Sequence, residues 1–240
     1  MSAPWRFLLL TVAAVLGVAA ALSLGRWQLS RAAQKEVLQA HRDAQAGLER
    51  LDGGKLALLA NPALMLDREV ALRGHWIVQQ MVFLDNRQMN DKQGFYVVTP
   101  MQLEASAGVI LVQRGWVARN FLDRTALPEV QTPKGTVDIV GRIVPPPSKL
   151  YELGADQPGR IRQNLDLSKF RTETGLPLLA VSVQQMGPAS DGLLRDWPRP
   201  ATGVEKHYGY AFQWFALSAL ITILYVWFQV VRRFIHRRSA

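Results

Sequence analysis

Two long apolar segments, one near each end of the chain, constrain its fold more than any other feature. Phe7 to Leu24 has no charged residue over 18 positions, and Tyr208 to Val231 has none over 24. An α-helix rises 1.5 Å per residue, so about 20 apolar residues cross the roughly 30 Å hydrocarbon core of a bilayer. We therefore predict one transmembrane helix within residues 1–25 and a second within residues 207–231.

A cleaved signal peptide is the alternative interpretation of the first segment, because Ala19, Ala20 and Ala21 offer the small residues of a cleavage site. The apolar run is longer than the 7 to 15 residues typical of a signal peptide. We favour a retained helix.

Small residues recur every four positions along the first segment, at Ala13, Gly17, Ala21 and Gly25. Such a stripe allows close approach of another helix. Alanine-rich apolar segments also produce this spacing by chance, so the pattern leaves both interpretations open.

A basic cluster after the second segment sets the expected orientation. Its residues are Arg232, Arg233, His236, Arg237 and Arg238. Cytoplasmic flanks of transmembrane helices are rich in Lys and Arg. Arg26, Arg31 and Lys35 favour the opposite orientation, but the C-terminal cluster is larger. We predict a cytoplasmic tail at 232–240, both termini in the cytoplasm and residues 26–206 on the non-cytoplasmic side of the membrane.

The segment between the two helices is predicted to be β-rich. After a helix from Trp27 to Leu51, alternating apolar and polar residues indicate a series of strands, the last from Leu178 to Gln185. Asp85 to Gly94 is interpreted as a polar connection, Pro100 as the end of a strand and Gly187 to Gly203 as a linker. We predict an α+β membrane protein whose two helices flank an antiparallel barrel or sandwich.

Composition excludes several classes of function. The chain has no cysteine, which excludes disulfides, iron–sulfur clusters and thiol nucleophiles. The net charge of +9 is concentrated near the membrane: five of the 28 Lys and Arg residues lie outside residues 26–206, whereas all 19 acidic residues lie inside. Anionic lipid explains such a distribution better than nucleic acid does.

No recognised catalytic motif is present, and we predict a protein that is not an enzyme. Asp85, Asn86 and Arg87 are interpreted as turn residues in preference to a catalytic group. His207 opens the second apolar segment, where its imidazole could ligate a haem iron. The alternative is an interfacial residue of the aromatic belt.

Five motifs, in order along the chain, resemble the Surfeit locus protein 1 family, whose members are membrane-anchored assembly factors of cytochrome c oxidase. They are LGRWQLSR (Leu24 to Arg31), VALRGHW (Val70 to Trp76), DNRQMNDKQGFYVVTPM (Asp85 to Met101), VQRGWVAR (Val112 to Arg119) and HYGYAFQWFALSA (His207 to Ala219).

The resemblance implies a factor that helps haem a reach, or remain in, the catalytic subunit of the oxidase, with other assembly factors and membrane lipid as partners. It also implies a bacterial inner membrane as the setting, with residues 26–206 in the periplasm. It implies His207 as the haem-iron ligand and Trp214 as a second haem-binding residue. A cofactor-free scaffold that holds an oxidase subunit is the alternative. The motif residues Arg26, Trp27, Arg114, Gly115 and Trp116 carry no role from sequence beyond fold or partner contact.

Overall fold

The computed structural model describes residues 3–104, 106–120, 122–123, 127–147, 150, 159–198 and 203–232. It divides into two compact units, which are described separately. One combines Met1–His41 with Pro200–Ala240, and the other is Arg42–Arg199. The predicted domain boundaries at residues 25/26 and 206/207 stay a prediction.

Two helices make up the first unit. Helix α1 runs from Ala3 to Ala46 and helix α4 from Val204 to Tyr225, after which six residues, Val226–Val231, continue in wider π-helical turns. Both helices are long and apolar enough to cross a membrane. The two helices predicted on either side of residue 25 are one unbroken helix, because no Gly-Pro or capping signal interrupts the sequence there.

The two helices pack antiparallel. The hydroxyl of Thr11 is 2.7 Å from that of Tyr225, and the Tyr208 hydroxyl donates to Glu36 Oε1 at 2.8 Å. Between these ends, Gly25 faces the ring of Phe215 so closely that a Cβ at this position would lie 2.8 Å from a ring carbon.

Most of the small-residue stripe of α1 packs within this helix pair. Ala21 and Gly25 are buried and Gly17 lies beside Ile221, whereas Ala13 is exposed. Since four residues turn an α-helix by about 400°, a spacing of four drifts by about 40° at each step. The four positions therefore cannot all face α4.

The second unit is built on a closed five-stranded barrel. The ring contains strands β2 (Glu69–Trp76), β6 (Thr136–Val144), β8 (Leu178–Gln185), β5 (Val109–Ala118) and β4 (Lys92–Leu103), and pairing of β4 with β2 closes it. Strand β3 (Val82–Met89) and the two-residue strands β1 (Leu51–Asp52) and β7 (Ile161–Arg162) extend the sheet outside the ring. The predicted β-rich domain is thus a barrel.

One pair within the ring is parallel. Strand β5 pairs with β8 in the parallel sense, and the other four ring pairs are antiparallel. Strands in a ring of five cannot alternate in direction all the way round, so closure requires at least one parallel pair. The antiparallel β-rich unit predicted from sequence is confirmed, with this one parallel pair of the ring as the exception.

Alternating apolar residues fill the barrel interior. The core includes Val70 and Leu72 of β2, Ile110 and Val112 of β5, and Leu56 of the short helix α2 (Gly53–Leu58). Successive side chains of a strand point to opposite faces, so the period-two pattern places every second residue in this core. Helix α3 (Leu167–Thr174) adds Phe170 to a second core outside the ring.

Two sequence-based assignments in the third motif are wrong. Asp85 to Gly94 is not a long connection: β3 continues to Met89 and β4 begins at Lys92, with a two-residue turn at Asn90 and Asp91. Both turn residues have positive φ, 50° and 59°, as a type I′ hairpin requires, and Asn and Asp adopt this conformation more readily than most residues.

Pro100 does not end its strand. Strand β4 pairs with β3 as far as Val98 and with β2 from Met101, so Pro100 lies where the strand changes neighbour. No ladder donor is needed there, and the Pro100 carbonyl accepts a hydrogen bond from the Ile77 amide at 2.9 Å. The strand from Leu178 to Gln185, in contrast, is confirmed.

We predict that Gly141→Ala destabilises the barrel. Gly141 lies on β6, and an added Cβ would come 2.5 Å from the carbonyl oxygen of Gln184 on β8. Overpacking of this kind lowers the free energy of unfolding by about 1–3 kcal/mol. Thermal unfolding of the full-length protein in detergent, followed by tryptophan fluorescence, should show a lower Tm. Gly47→Ala is the control, because its Cβ would meet no atom closer than 3.5 Å; equal losses in both variants would contradict the prediction.

Candidate functional site

His207 lies in the first turn of α4 and is hydrogen-bonded to α1. Its Nδ1 is 2.7 Å from Oε1 of Gln28. Since an amide oxygen only accepts, the imidazole donates from Nδ1, and Nε2 keeps its lone pair. Nε2 has no hydrogen-bond partner among the residues that the structure describes. This geometry leaves one ring nitrogen ready to act as a ligand.

The surroundings of His207 are positively charged. Arg31 and Lys35 of α1 are close enough for their charges to act on the imidazole, and Lys206 precedes it in sequence. Arg31 also donates to Gln34 Oε1 at 3.0 Å. A group that carries carboxylates would meet favourable charge here.

Trp214 lies two turns after His207 on the same side of α4 and is half-buried. At 1.5 Å per residue the two residues are separated by about 10.5 Å along the helix axis. Arg26 and Trp27 of α1 are exposed, so the structure assigns them no packing role within the described residues. Gln28, the next residue of the same motif, is the contact that sequence reasoning missed.

Arg114 is the largest fully buried side chain of the β unit. It donates to the Thr132 hydroxyl at 2.8 Å and the Gln131 carbonyl at 2.9 Å, and it pairs with Asp191 at 3.1 Å. Its guanidinium carbon lies 4.7 Å from the ring centre of Trp76. Burial lowers the pKa of Arg114, and the hydrogen bond that Arg114 donates to Asp191 opposes that shift. The cation is thus held by an anion and an aromatic face.

Residues 187–198, here called the strap, pack onto β5. Trp116 and Leu194 exchange both backbone hydrogen bonds, at 2.7 and 2.8 Å, and Leu193 is buried. Gly115 makes this possible, because a Cβ there would lie 2.7 Å from both Leu193 Cβ and the Leu194 carbonyl oxygen. The linker predicted at Gly187 to Gly203 is therefore wrong for the strap; residues 199–202 lie outside the described residues.

A second ion pair ties the third motif to the fourth. Arg119 donates to both carboxylate oxygens of Asp85, at 3.1 and 3.3 Å, and Trp116 donates from its indole nitrogen to the Arg87 carbonyl at 2.9 Å. Asp85 and Asn86 form an irregularity in β3, where Asn86 has a φ of 59°. Arg87 is buried, and burial lowers its pKa. These residues belong to a strand, so their assignment to a loop is corrected.

A polar cleft of about 280 Å³ opens beside this irregularity. Its lining residues are Asp85, Asn86, Arg119, Ile161, Arg162 and Gln163. Both of its arginines are paired, Arg119 with Asp85 and Arg162 with Glu173. No group of three or more His, Asp or Glu side chains suited to a metal ion occurs among the described residues.

The five motifs converge in two places. In the first unit, the motif containing Gln28 meets the motif that opens with His207. In the second unit, the motifs containing Trp76, Asp85 to Arg87, and Arg114 to Arg119 meet one another. The sequence model of the SURF1 family matches residues 15–219, a span that includes both places. The chain belongs to the SURF1 family.

Individual relatives agree with this membership of the SURF1 family. A SURF1-like protein of Drosophila melanogaster is 27% identical over 248 residues, which cover 95% of this chain and 77% of that protein. A SURF1-like protein of Rickettsia bellii is 24% identical, covering 84% of this chain and 83% of its own. The cytochrome oxidase assembly protein SHY1 of Saccharomyces cerevisiae is 27% identical over 131 residues, covering 52% of this chain and 33% of SHY1.

We predict that Arg114→Ala releases the strap of this SURF1 family member. Breaking a buried ion pair lowers the free energy of unfolding by about 3–5 kcal/mol. The lower end of this range applies here because Asp191 keeps some contact with water. Limited proteolysis of the full-length protein should cut the strap faster than in wild type. Arg73→Ala is the control, since the Arg73 ion pairs with Glu104 and Asp138 are exposed. An unchanged cleavage rate for Arg114→Ala would contradict the role given to its cluster.

Proposed function

We propose that this SURF1 family protein is a membrane-anchored assembly factor of cytochrome c oxidase that holds haem a through His207 on its way to the catalytic subunit. The observation that carries the proposal is the His207 imidazole, which is held at Nδ1 by Gln28 and makes no hydrogen bond at Nε2 with any residue that the structure describes. Family membership and the name of the yeast relative, a cytochrome oxidase assembly protein, support the oxidase as the destination.

The residues around His207 fit a haem. Neutral imidazole is a common axial ligand, and a metal-bound histidine usually donates its other N–H to an acceptor, as His207 does to Gln28. Trp214 offers an aromatic surface on the same side of α4. Arg31 and Lys35 supply cations for the propionates. A bound haem would supply an iron that accepts a nitrogen ligand, and His207 would provide that ligand.

The proposal includes a membrane location. With α1 and α4 antiparallel, the N-terminus of α1 and the C-terminal end of α4 lie on the same side of a bilayer. The apolar run of α1 ends at Leu24, and Gly25 contacts Phe215. His207 precedes Phe215 by eight residues, or about 12 Å along the helix. In the proposed arrangement His207 would therefore lie at the outer headgroup region. The basic tail and both termini are then cytoplasmic, and the barrel is periplasmic.

The absence of native cysteines permits a direct test of topology. We predict that Asp138→Cys, on the exposed face of the barrel, reacts with a membrane-impermeant maleimide added to cells with a permeabilised outer membrane. Ser239→Cys in the tail should react only after the inner membrane is also opened, because the reagent cannot cross it. Labelling of Ser239→Cys in intact spheroplasts would place the tail outside and refute this orientation.

The haem proposal is tested with His207→Ala. Full-length wild-type protein purified after co-expression with haem a synthesis should show a Soret band, and the variant should lose most of it because the iron loses its nitrogen ligand. His41→Ala is a matched control, since His41 is an exposed histidine of α1. An undiminished Soret band in His207→Ala would refute the ligand assignment.

The same variants separate the proposal from its alternative. In a host that lacks its own copy of the gene, wild type should restore haem a in the oxidase, and His207→Ala should restore less. Full restoration by a His207→Ala protein without a Soret band would favour the cofactor-free scaffold instead.

A further inference from the structure

Gln28 is a polar side chain on the contact face of α1. Its neighbours on that face, Gly25 and Ala32, are buried, and Gln28 itself is half-buried. Its amide oxygen is used by His207, from a helix 179 residues away in sequence. Burying a polar group at such a position destabilises the protein unless the group is hydrogen-bonded. The Gln28 side chain thus has a specific partner.

The direction of this hydrogen bond decides which ring nitrogen faces outward. A neutral imidazole carries one proton, on either Nδ1 or Nε2. Because Gln28 Oε1 accepts the hydrogen bond, the proton lies on Nδ1 and the Nε2 lone pair stays available. Without an acceptor the proton can occupy either nitrogen, and the ring can rotate about its side-chain torsions. Gln28 therefore controls both the tautomer and the orientation of the ring.

We propose that Gln28 is a positioning residue that presents Nε2 of His207 to the haem iron. The inference rests on the proposed function for the presence of haem, and adds the residue that sets the ligand geometry. Second-sphere partners of metal-bound histidines act in this way, and their loss typically lowers metal affinity by 10- to 100-fold. Gln28 does not touch the iron.

A purely structural role would be to join the two helices. Other contacts already do so, since Thr11 meets Tyr225, Gly25 meets Phe215 and Glu36 meets Tyr208. Replacement of Gln28 alone removes one of several contacts and leaves the rest of the helix pair intact. The distinguishing property of Gln28 is that its partner is the imidazole.

The first test needs no haem. Full-length protein in detergent, labelled with ¹⁵N-histidine and held at a pH where histidine is neutral, reports tautomers through the ring nitrogen shifts. We predict the Nδ1–H form for His207, identified by its loss in His207→Ala. Gln28→Ala should return His207 to the tautomer mixture of exposed histidines, whereas Gln28→Glu should keep the Nδ1–H form because an acceptor is retained. Gln45→Ala, a glutamine 17 residues further along the same helix, should change nothing.

The second test is titration of the same proteins with haemin, followed at the Soret band. Gln28→Ala should weaken the apparent affinity by 10- to 100-fold, and Gln28→Glu should restore it. A carboxylate is also a stronger acceptor than an amide, so Gln28→Glu should shift the haem midpoint potential to lower values. Rescue by Glu, together with that shift, is not expected of a residue that only joins two helices.

The outcomes separate the two claims. If His207→Ala abolishes haemin binding but Gln28→Ala binds as tightly as wild type, the Gln28 inference is wrong and the haem proposal stands. If wild type binds no haemin, the haem proposal fails, and the tautomer measurement alone still decides whether Gln28 fixes the ring. An Nε2–H form of His207 in wild type, or weakened binding that Gln28→Glu does not rescue, overturns the inference.

Discussion

Backbone pairing around a closed ring of five strands is the constraint on which the β unit depends. Closure leaves no free edge within the ring but forces one parallel pair, which falls between β5 and β8. Beside that pair, the strap returns over β5 and is held by Arg114, Gly115 and Trp116. The Arg-Gly-Trp motif is thus explained by packing: a buried cation, a position without Cβ and the backbone hydrogen bonds of Trp116 fix the strap against the ring. The Trp116 indole serves a different contact, since it donates to the Arg87 carbonyl on β3.

The helix pair depends on a different interaction, the close fit of Phe215 against Gly25. This contact, with a tyrosine hydrogen bond at either end, sets the register that brings Gln28 to His207. The small residues of α1 are therefore used inside the chain. An oxidase subunit that associates with these helices would have to use their outward faces, which carry large apolar side chains such as Phe212 and Leu16.

Hydropathy predicted the two terminal helices and period-two patterning predicted a β-rich unit, because both signals are local in sequence. Sequence-based assignments failed where the structure depends on pairing between strands that are distant in sequence. Pro100 is tolerated since β4 changes neighbour there, and the parallel β5–β8 pair follows from ring closure. His207 and Trp214 could be named from the family resemblance, whereas Gln28 could not, because its partner lies 179 residues away and only the tertiary structure pairs them.

That separation has a consequence for biosynthesis. Gln28 leaves the ribosome 179 residues before His207. The hydrogen bond between them can form only after both helices have been inserted and have paired. Until both helices have paired, the chain therefore lacks the contact that would fix the tautomer proposed for His207.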